Sequence, residues 1–189
     1  GVKSVEITIS ETVEGLSETN GPEIIDHILV YSSSHTLDTA VYLLGSLRPV
    51  KMYRHPDSGY ARAFQSIAGI LETDQGSPVF LSIMADNPAP MGIRIYFDDR
   101  TTWHLSPLER LVAYKGYEVM EPTSEVKIRR YYPKPFLEIN EDANFKPGFL
   151  RQMEAFTEGQ GQQISATPVE YLELLKLVET IQELAYTYD

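Results

Sequence analysis

The sequence predicts an α+β fold: a large, mostly antiparallel sheet with helices packed on one face, and no Rossmann domain. Three observations carry that prediction. The chain opens on a strand-like alternation, its middle is a series of apolar runs joined by short turn signals, and helical periodicity is confined to one early segment and the C-terminal part. Connections this short favour antiparallel pairing, whereas a parallel α/β sheet needs a helix after nearly every strand.

In residues 2–10, Val5, Ile7 and Ile9 alternate with polar neighbours, as in a half-buried strand. Residues 11–22 mix Glu, Ser, Thr, Asn, Gly and Pro without a period and read as a loop or flap. From Ser34 to Leu44 the apolar residues Leu37, Ala40, Val41 and Leu44 fall at helical spacing. Ser32, Ser33 and Ser34 offer capping oxygens, and Gly45 offers a left-handed stop. Strand-like runs follow at Val50–His55, Ala61–Thr73, Val79–Ala85, Gly92–Asp98, Thr101–Leu105 and Val126–Tyr131. The chain then turns helical. Residues 147–158 place Phe149, Leu150, Met153 and Phe156 along one stripe. Thr167, Pro168 and Glu170 form a capping box ahead of a second stripe, Leu172, Leu175, Val178, Ile181, Leu184 and Ala185.

The 189 residues suit a single domain spanning 1–189. Lys and Arg total 16 against 27 Asp and Glu, a formal net charge of −11, so nucleic acid and anionic membranes are repelled and neither is expected as a partner. No cysteine occurs, which excludes disulfides, thiolate metal ligands and a cysteine nucleophile, and agrees with a cytoplasmic location. No long apolar run or signal segment is present. Gly159-x-Gly161 lacks the third glycine and the preceding strand of a dinucleotide fingerprint, and no phosphate loop, zinc helix or nucleophile elbow occurs. The chain is therefore expected to bind no cofactor and no metal by itself.

One stretch carries a more specific signal. In Ser33-Ser34-His35-Thr36-Leu37-Asp38-Thr39-Ala40-Val41-Tyr42-Leu43-Leu44-Gly45, His35, Asp38, Leu43 or Leu44, and Gly45 fall in register with Gly-Gly-x-Leu-x-Asp-x-Gly-x-His-x-x-Asp-x-x-x-x-Leu-x-Gly. That pattern resembles the C-terminal half of the glucose-fructose oxidoreductase, inositol dehydrogenase and rhizopine-catabolism (Gfo/Idh/MocA) family. The opening Gly1-Val2-Lys3-Ser4-Val5 is similar to the first strand of that domain, and residues 144–156 with Thr167-Pro168-x-Glu170 are similar to its closing helices. Leu105-Ser106-Pro107-Leu108-Glu109-Arg110-Leu111 and Ile128-Arg129-Arg130-Tyr131 resemble one of its subfamilies.

The resemblance implies a substrate-binding and oligomerisation domain whose parent carries an N-terminal Rossmann domain, binds NAD or NADP there, and oxidises a sugar, polyol or related hydroxy compound. It implies a homo-oligomer and a separately expressed domain or fragment. His35 suits proton exchange with a substrate hydroxyl, although a histidine that merely caps its helix is the plainer alternative. The family aspartate four residues earlier is Tyr31, which can hydrogen-bond but cannot hold an imidazolium by charge. Tyr31 therefore joins His35 as a catalytic candidate, and also motivates the opposing reading of a ligand-sensing or protein-interaction module without turnover.

Three further residues are substrate-binding candidates. Asp38 lies one turn from His35, where a first-turn aspartate facing the helix dipole is the simpler reading. Trp103 and His104 alternate on a strand, so one could line a cavity, against a core role for the tryptophan. Arg130, with Lys127, Arg129, Tyr131 and Tyr132, could receive an anionic group, or else pair with acids across strands. Glu138 to Asp142 lack calcium-loop spacing and read as solvated surface.

Overall fold

The computed structural model describes residues 1–21, 23, 27–31, 33–55, 66–140, 148–160 and 166–186. Eight strands, β1 (Val2–Glu11), β2 (Leu47–Arg54), β3 (Ile67–Thr73), β4 (Pro78–Ala85), β5 (Gly92–Phe97), β6 (Thr101–Leu105), β7 (Arg110–Met120) and β8 (Arg130–Asn140), form one sheet in the order β2-β3-β4-β1-β5-β6-β7-β8. Among the described residues five helices accompany it: α1 (Val13–Asn20), α2 (Ile28–Tyr31), α3 (Ser34–Leu44), α4 (Phe149–Thr157) and α5 (Pro168–Tyr186). The predicted class, a mostly antiparallel α+β sheet, is the observed one. One pairing departs from it: β1 runs parallel to β4, because α1 to α3, β2 and β3 are inserted between them.

Alternation decides which face of the sheet is covered. Val5, Ile7 and Ile9 of β1 align with Val79, Leu81 and Ile83 of β4, and Val5 and Ile7 with Ile95 and Ile93 of β5; all are buried. Leu37 and Ala40 of α3 and Leu174, Val178, Ile181 and Ala185 of α5 close over them. Each large side chain removed from water in this way contributes about 1.5–3 kcal/mol. No described helix is long and apolar enough to cross a membrane.

The opposite face has no helix on it among the described residues. At its centre Arg94 donates to Glu6 at 2.9 Å and the Tyr96 hydroxyl donates to the same carboxylate at 3.1 Å. Phe80, 48 % exposed, and Ile70 lie beside this polar cluster on paired strands. His104 stands opposite Arg94 in the register. Burial, the Arg94 guanidinium and, to a lesser degree, that of Arg110 hold its pKa below the ordinary histidine value, against a smaller opposing pull from Glu6. As pH falls through about 6.5 the unfolded chain thus takes up a proton before the folded chain does, and stability drops. Urea unfolding midpoints measured across about pH 5 to 8 are expected to show that loss, and His104→Gln to remove its share of it.

Several sequence expectations are revised. Residues 13–20, read as loop, form α1. Strand β7 is not among the runs named above, because Lys115 and Gly116 interrupt its alternation and its outer half is exposed on both faces. Strand β8 runs through Pro133 and Pro135, which look like breakers but are tolerated on an edge strand, where a missing N–H leaves no ladder bond unmade. The first residues of the predicted strand 61–73, together with 141–147, 161–165 and Ser32, lie outside the described residues. Glu138 sits in β8 as exposed surface, where it pairs with Arg110 at 2.8 Å.

The closing helices differ in how far expectation carries. The capping box at α5 is formed: Glu170 N–H donates to the Thr167 hydroxyl oxygen at 3.2 Å, and Thr167 N–H donates to the Glu170 carboxylate at 2.7 Å. The Thr167 N–H, and the Thr167 hydroxyl that donates to the same carboxylate at 2.8 Å, lower the Glu170 pKa. The buried stripe behind the cap is Leu174, Val178, Ile181 and Ala185, displaced from the predicted one at its N-terminal end, where Leu172 is exposed. On α4 the predicted stripe exists but faces outward: only Ala155 is buried.

Candidate active site

The covered face ends, at the C-terminus of β1, in a small buried polar cluster. Glu11 continues the alternation of Val5, Ile7 and Ile9, so its side chain enters the helix-covered layer and is only 6 % exposed. The buried Ser33 hydroxyl donates to it. That bond replaces the cap expected of the serine run: Ser33 occupies the N-cap position of α3 but makes no side-chain capping bond. The Thr36 hydroxyl, one turn in, is buried with no hydrogen-bond partner among the described residues. Glu11 and Ser33 thus pin the start of α3 to the end of β1.

His35 follows directly and is exposed, its backbone carbonyl accepting from the Thr39 hydroxyl at 2.7 Å. A charged or proton-carrying side chain is therefore presented to solvent from a backbone anchored in the core, which is the arrangement a proton-transfer group needs. Tyr31, at the end of α2, is 58 % exposed and its hydroxyl donates to the Asn20 side-chain oxygen at 3.5 Å, a long and weak bond. Asp38 is exposed too, but it is the fifth residue of α3 and so lies past the first turn, outside the position the helix-dipole reading assumed. Gly45 ends the helix as expected, at φ 81°, its N–H donating to the Val41 carbonyl at 2.9 Å.

Trp103 and Arg130 are elsewhere. Helix α3 runs from the Glu11 end of β1 toward its start, where Ser46 donates to Asp74 beside the start of β2. Trp103 lies toward that start, on the covered face, edge-on to Phe97 with ring centroids 5.0 Å apart. It borders a shallow cavity of about 230 Å³ with Gly1, Phe97, Asp99 and Thr101. Arg130 lies farther out, on the β7–β8 hairpin, with its guanidinium 3.4 Å from the Tyr132 hydroxyl. Arg129 pairs with Glu121 at 2.9 Å, the cross-strand use weighed above. His35, Tyr31 and Asp38 share one end of the molecule, and Trp103 and Arg130 the other.

Glu11 is the residue that sequence reasoning missed. The signal was available: a carboxylate at the next apolar position of an alternating strand is buried and needs a donor. Glu11→Ala is expected to leave the Ser33 hydroxyl buried without its acceptor and to cost about 1–3 kcal/mol, read as a lower denaturation midpoint at unchanged m-value.

No glycine-rich phosphate turn occurs at a strand–helix junction among the described residues. The helix that follows a strand most directly is α1, joined to β1 through Thr12 alone, with no glycine-rich turn to bring backbone N–H groups against a pyrophosphate. These residues do not fit such a cofactor.

No protein-family model and no curated protein sequence matches the chain. Solved structures do. A UDP-N-acetylglucosamine 3-dehydrogenase from Acidithiobacillus ferrooxidans superposes with a TM-score of 0.66 at 14% identity, over 100% of this chain and 56% of its own length. The chain has the α+β fold of the second domain of Gfo/Idh/MocA-type oxidoreductases. An oxidoreductase from Thermotoga maritima shares this fold at TM-score 0.61 and 12% identity, over 97% of this chain and 52% of that one. A 3-ketoreductase from Actinomadura kijaniata, solved with NADP and TDP-benzene, does so at 0.56 and 12%, over 96% and 53%. This oxidoreductase C-terminal fold thus spans about half the length of the proteins it matches.

Proposed function

We propose that this chain is the substrate-binding and oligomerisation domain of an NAD(P)-dependent oxidoreductase that acts on a sugar, polyol or related hydroxy compound. The observation that carries the reading is His35, exposed at the head of a helix whose start is tied into the core through Ser33 and Glu11. The chain's own part in the reaction is proton transfer: His35 takes the proton of the substrate hydroxyl as that carbon becomes a carbonyl, with Tyr31 as its nearest candidate aid. Asp38 contributes a further hydrogen-bonding group on the same helix. On this reading NAD or NADP belongs to the N-terminal Rossmann domain of the same cytoplasmic protein. The helix-free sheet face, with Phe80, Ile70 and the Glu6–Arg94–Tyr96 cluster, is the self-association surface.

The test is turnover. Full-length protein is mixed with NAD or NADP and a panel of polyols, sugars and sugar nucleotides, and nicotinamide absorbance is followed. Reduction of the cofactor by one class is expected; binding of a panel member without reduction of either cofactor would instead support the ligand-sensing reading that Tyr31 motivates.

A further inference from the structure

The β7–β8 hairpin continues past the sheet. Strand β6 begins at Thr101, opposite Lys115, so beyond that point β7 and β8 pair only with each other, from Tyr117 opposite Pro133 to Met120 opposite Arg130. The projecting arm is about 15 Å long at ~3.3 Å per residue. Its tip is ordered by its own bonds: Thr123 N–H donates to the Val126 carbonyl at 2.8 Å, and Arg129 pairs with Glu121.

A free two-stranded ribbon is marginal in water, and this one is amphipathic. Cross-strand register puts Tyr117, Val119, Tyr131 and Pro133 on one of its faces, with Glu118, Met120, Arg130 and Tyr132 on the other. Every one of these side chains is exposed, Tyr117 at 70 % and Tyr131 at 59 %. An aromatic face on an isolated ribbon is surface waiting to be covered.

Charge and position select the occupant. Residues 115–134 hold five Lys and Arg against three Glu, so this stretch is +2 while the rest of the chain, whose total is −11, is −13. The arm therefore complements the body of another molecule of the same chain. It also projects beyond the start of β1, whereas His35 lies at the far end of that ten-residue strand, about 30 Å away at strand rise. A cofactor domain placed against His35 is on the wrong side to cover the arm.

We propose that the β7–β8 arm clasps a second copy of this chain in reciprocal fashion about a two-fold axis, its Tyr117–Val119–Tyr131–Pro133 face covered by the partner and the Lys127 and Arg130 cations of its tip and other face meeting the partner's acidic groups. The two tyrosines of each arm bring on the order of 200 Å² of exposed aromatic surface. Counted on both arms and on the surfaces they cover, this approaches the roughly 1,000 Å² of a specific interface before the sheet face adds to it. The inference rests on the self-association part of the proposed function.

The experiment is sedimentation of the full-length protein over a concentration series, comparing wild type with Tyr117→Thr/Tyr131→Thr, Lys127→Glu/Arg130→Glu and, on the sheet face, Phe80→Glu. Each arm double variant is expected to weaken self-association at least tenfold, the charge variant more at low salt than at high. Circular dichroism of each monomer, with the arm outside the core, is expected to match wild type. If both arm variants associate as tightly as wild type while Phe80→Glu does not, the arm proposal is overturned and the self-association reading stands. A wild type that is monomeric at every concentration overturns both.

Discussion

His35→Ala is expected to lower kcat of the full-length protein by about 10²- to 10⁴-fold, the usual span for loss of a positioned general acid–base group. KM is expected to change far less. On the proposed reading the exposed imidazole would move a proton in the transition state and add little to ground-state binding, so the loss is expected to fall on kcat and kcat/KM together. Because the side chain is exposed, its removal leaves the core of α3 intact, and an unchanged melting temperature separates lost chemistry from lost structure. Wild-type turnover in His35→Ala would transfer the proton step to another group and sink the site assignment.

Gly92→Ala is expected to destabilise the fold by about 3 kcal/mol or more. Gly92 opens β5 between two strands, paired with Thr8 on one side and adjoining the end of β6 on the other. A Cβ there would stand 2.1 Å from the Leu105 carbonyl oxygen and 3.1 Å from the Ser106 Cβ. The first contact is with backbone, which cannot rotate away as a side chain could, so the two strands must part. For a chain of this size the loss corresponds to a melting temperature lower by roughly 6–12 °C. Gly15→Ala is the control: its Cβ meets only the Thr12 methyl at 3.4 Å, within helix α1, and a neutral or slightly stabilising effect is expected. Equal melting temperatures for the two variants would contradict this account of strand spacing.

The parts of the fold that were legible are those whose local pattern and tertiary role agree. Val5, Ile7 and Ile9 alternate because one face of β1 is covered, and the Thr167–Glu170 box forms because its partners lie three residues apart. Helix α3 and its Gly45 stop follow in the same way. The missed elements share a cause. The outer half of β7 and the whole of β8 lie where neither face is buried, so burial imposed no alternation there, and edge position made Pro133 and Pro135 harmless. The stripe on α4 is real in sequence yet faces out, because periodicity reports amphipathicity and not which surface receives it.

The candidate site divides along the same line. His35 and Asp38 are three residues apart on α3, so helix geometry keeps them on one face, and Tyr31 ends the preceding helix α2 four residues before His35. Trp103 and Arg130 were grouped with them by residue type alone, and the strand directions send them to the opposite end of the sheet. Ser33 was read as a cap from its position, but the end of β1 brings Glu11 within reach of its hydroxyl, and a buried carboxylate is the stronger acceptor.

By itself the sequence determined the fold class, the acidic and cysteine-free character of the chain, and the helix that carries His35, since each of these depends on composition or on contacts between residues a few positions apart. Only the tertiary structure decided that β1 pairs in parallel with β4, that Glu11 anchors the candidate site, and that a cationic, aromatic arm stands clear of the sheet. Those features depend on which distant segments meet, and a period of two or 3.6 residues carries no record of partners some 20 to 80 positions away.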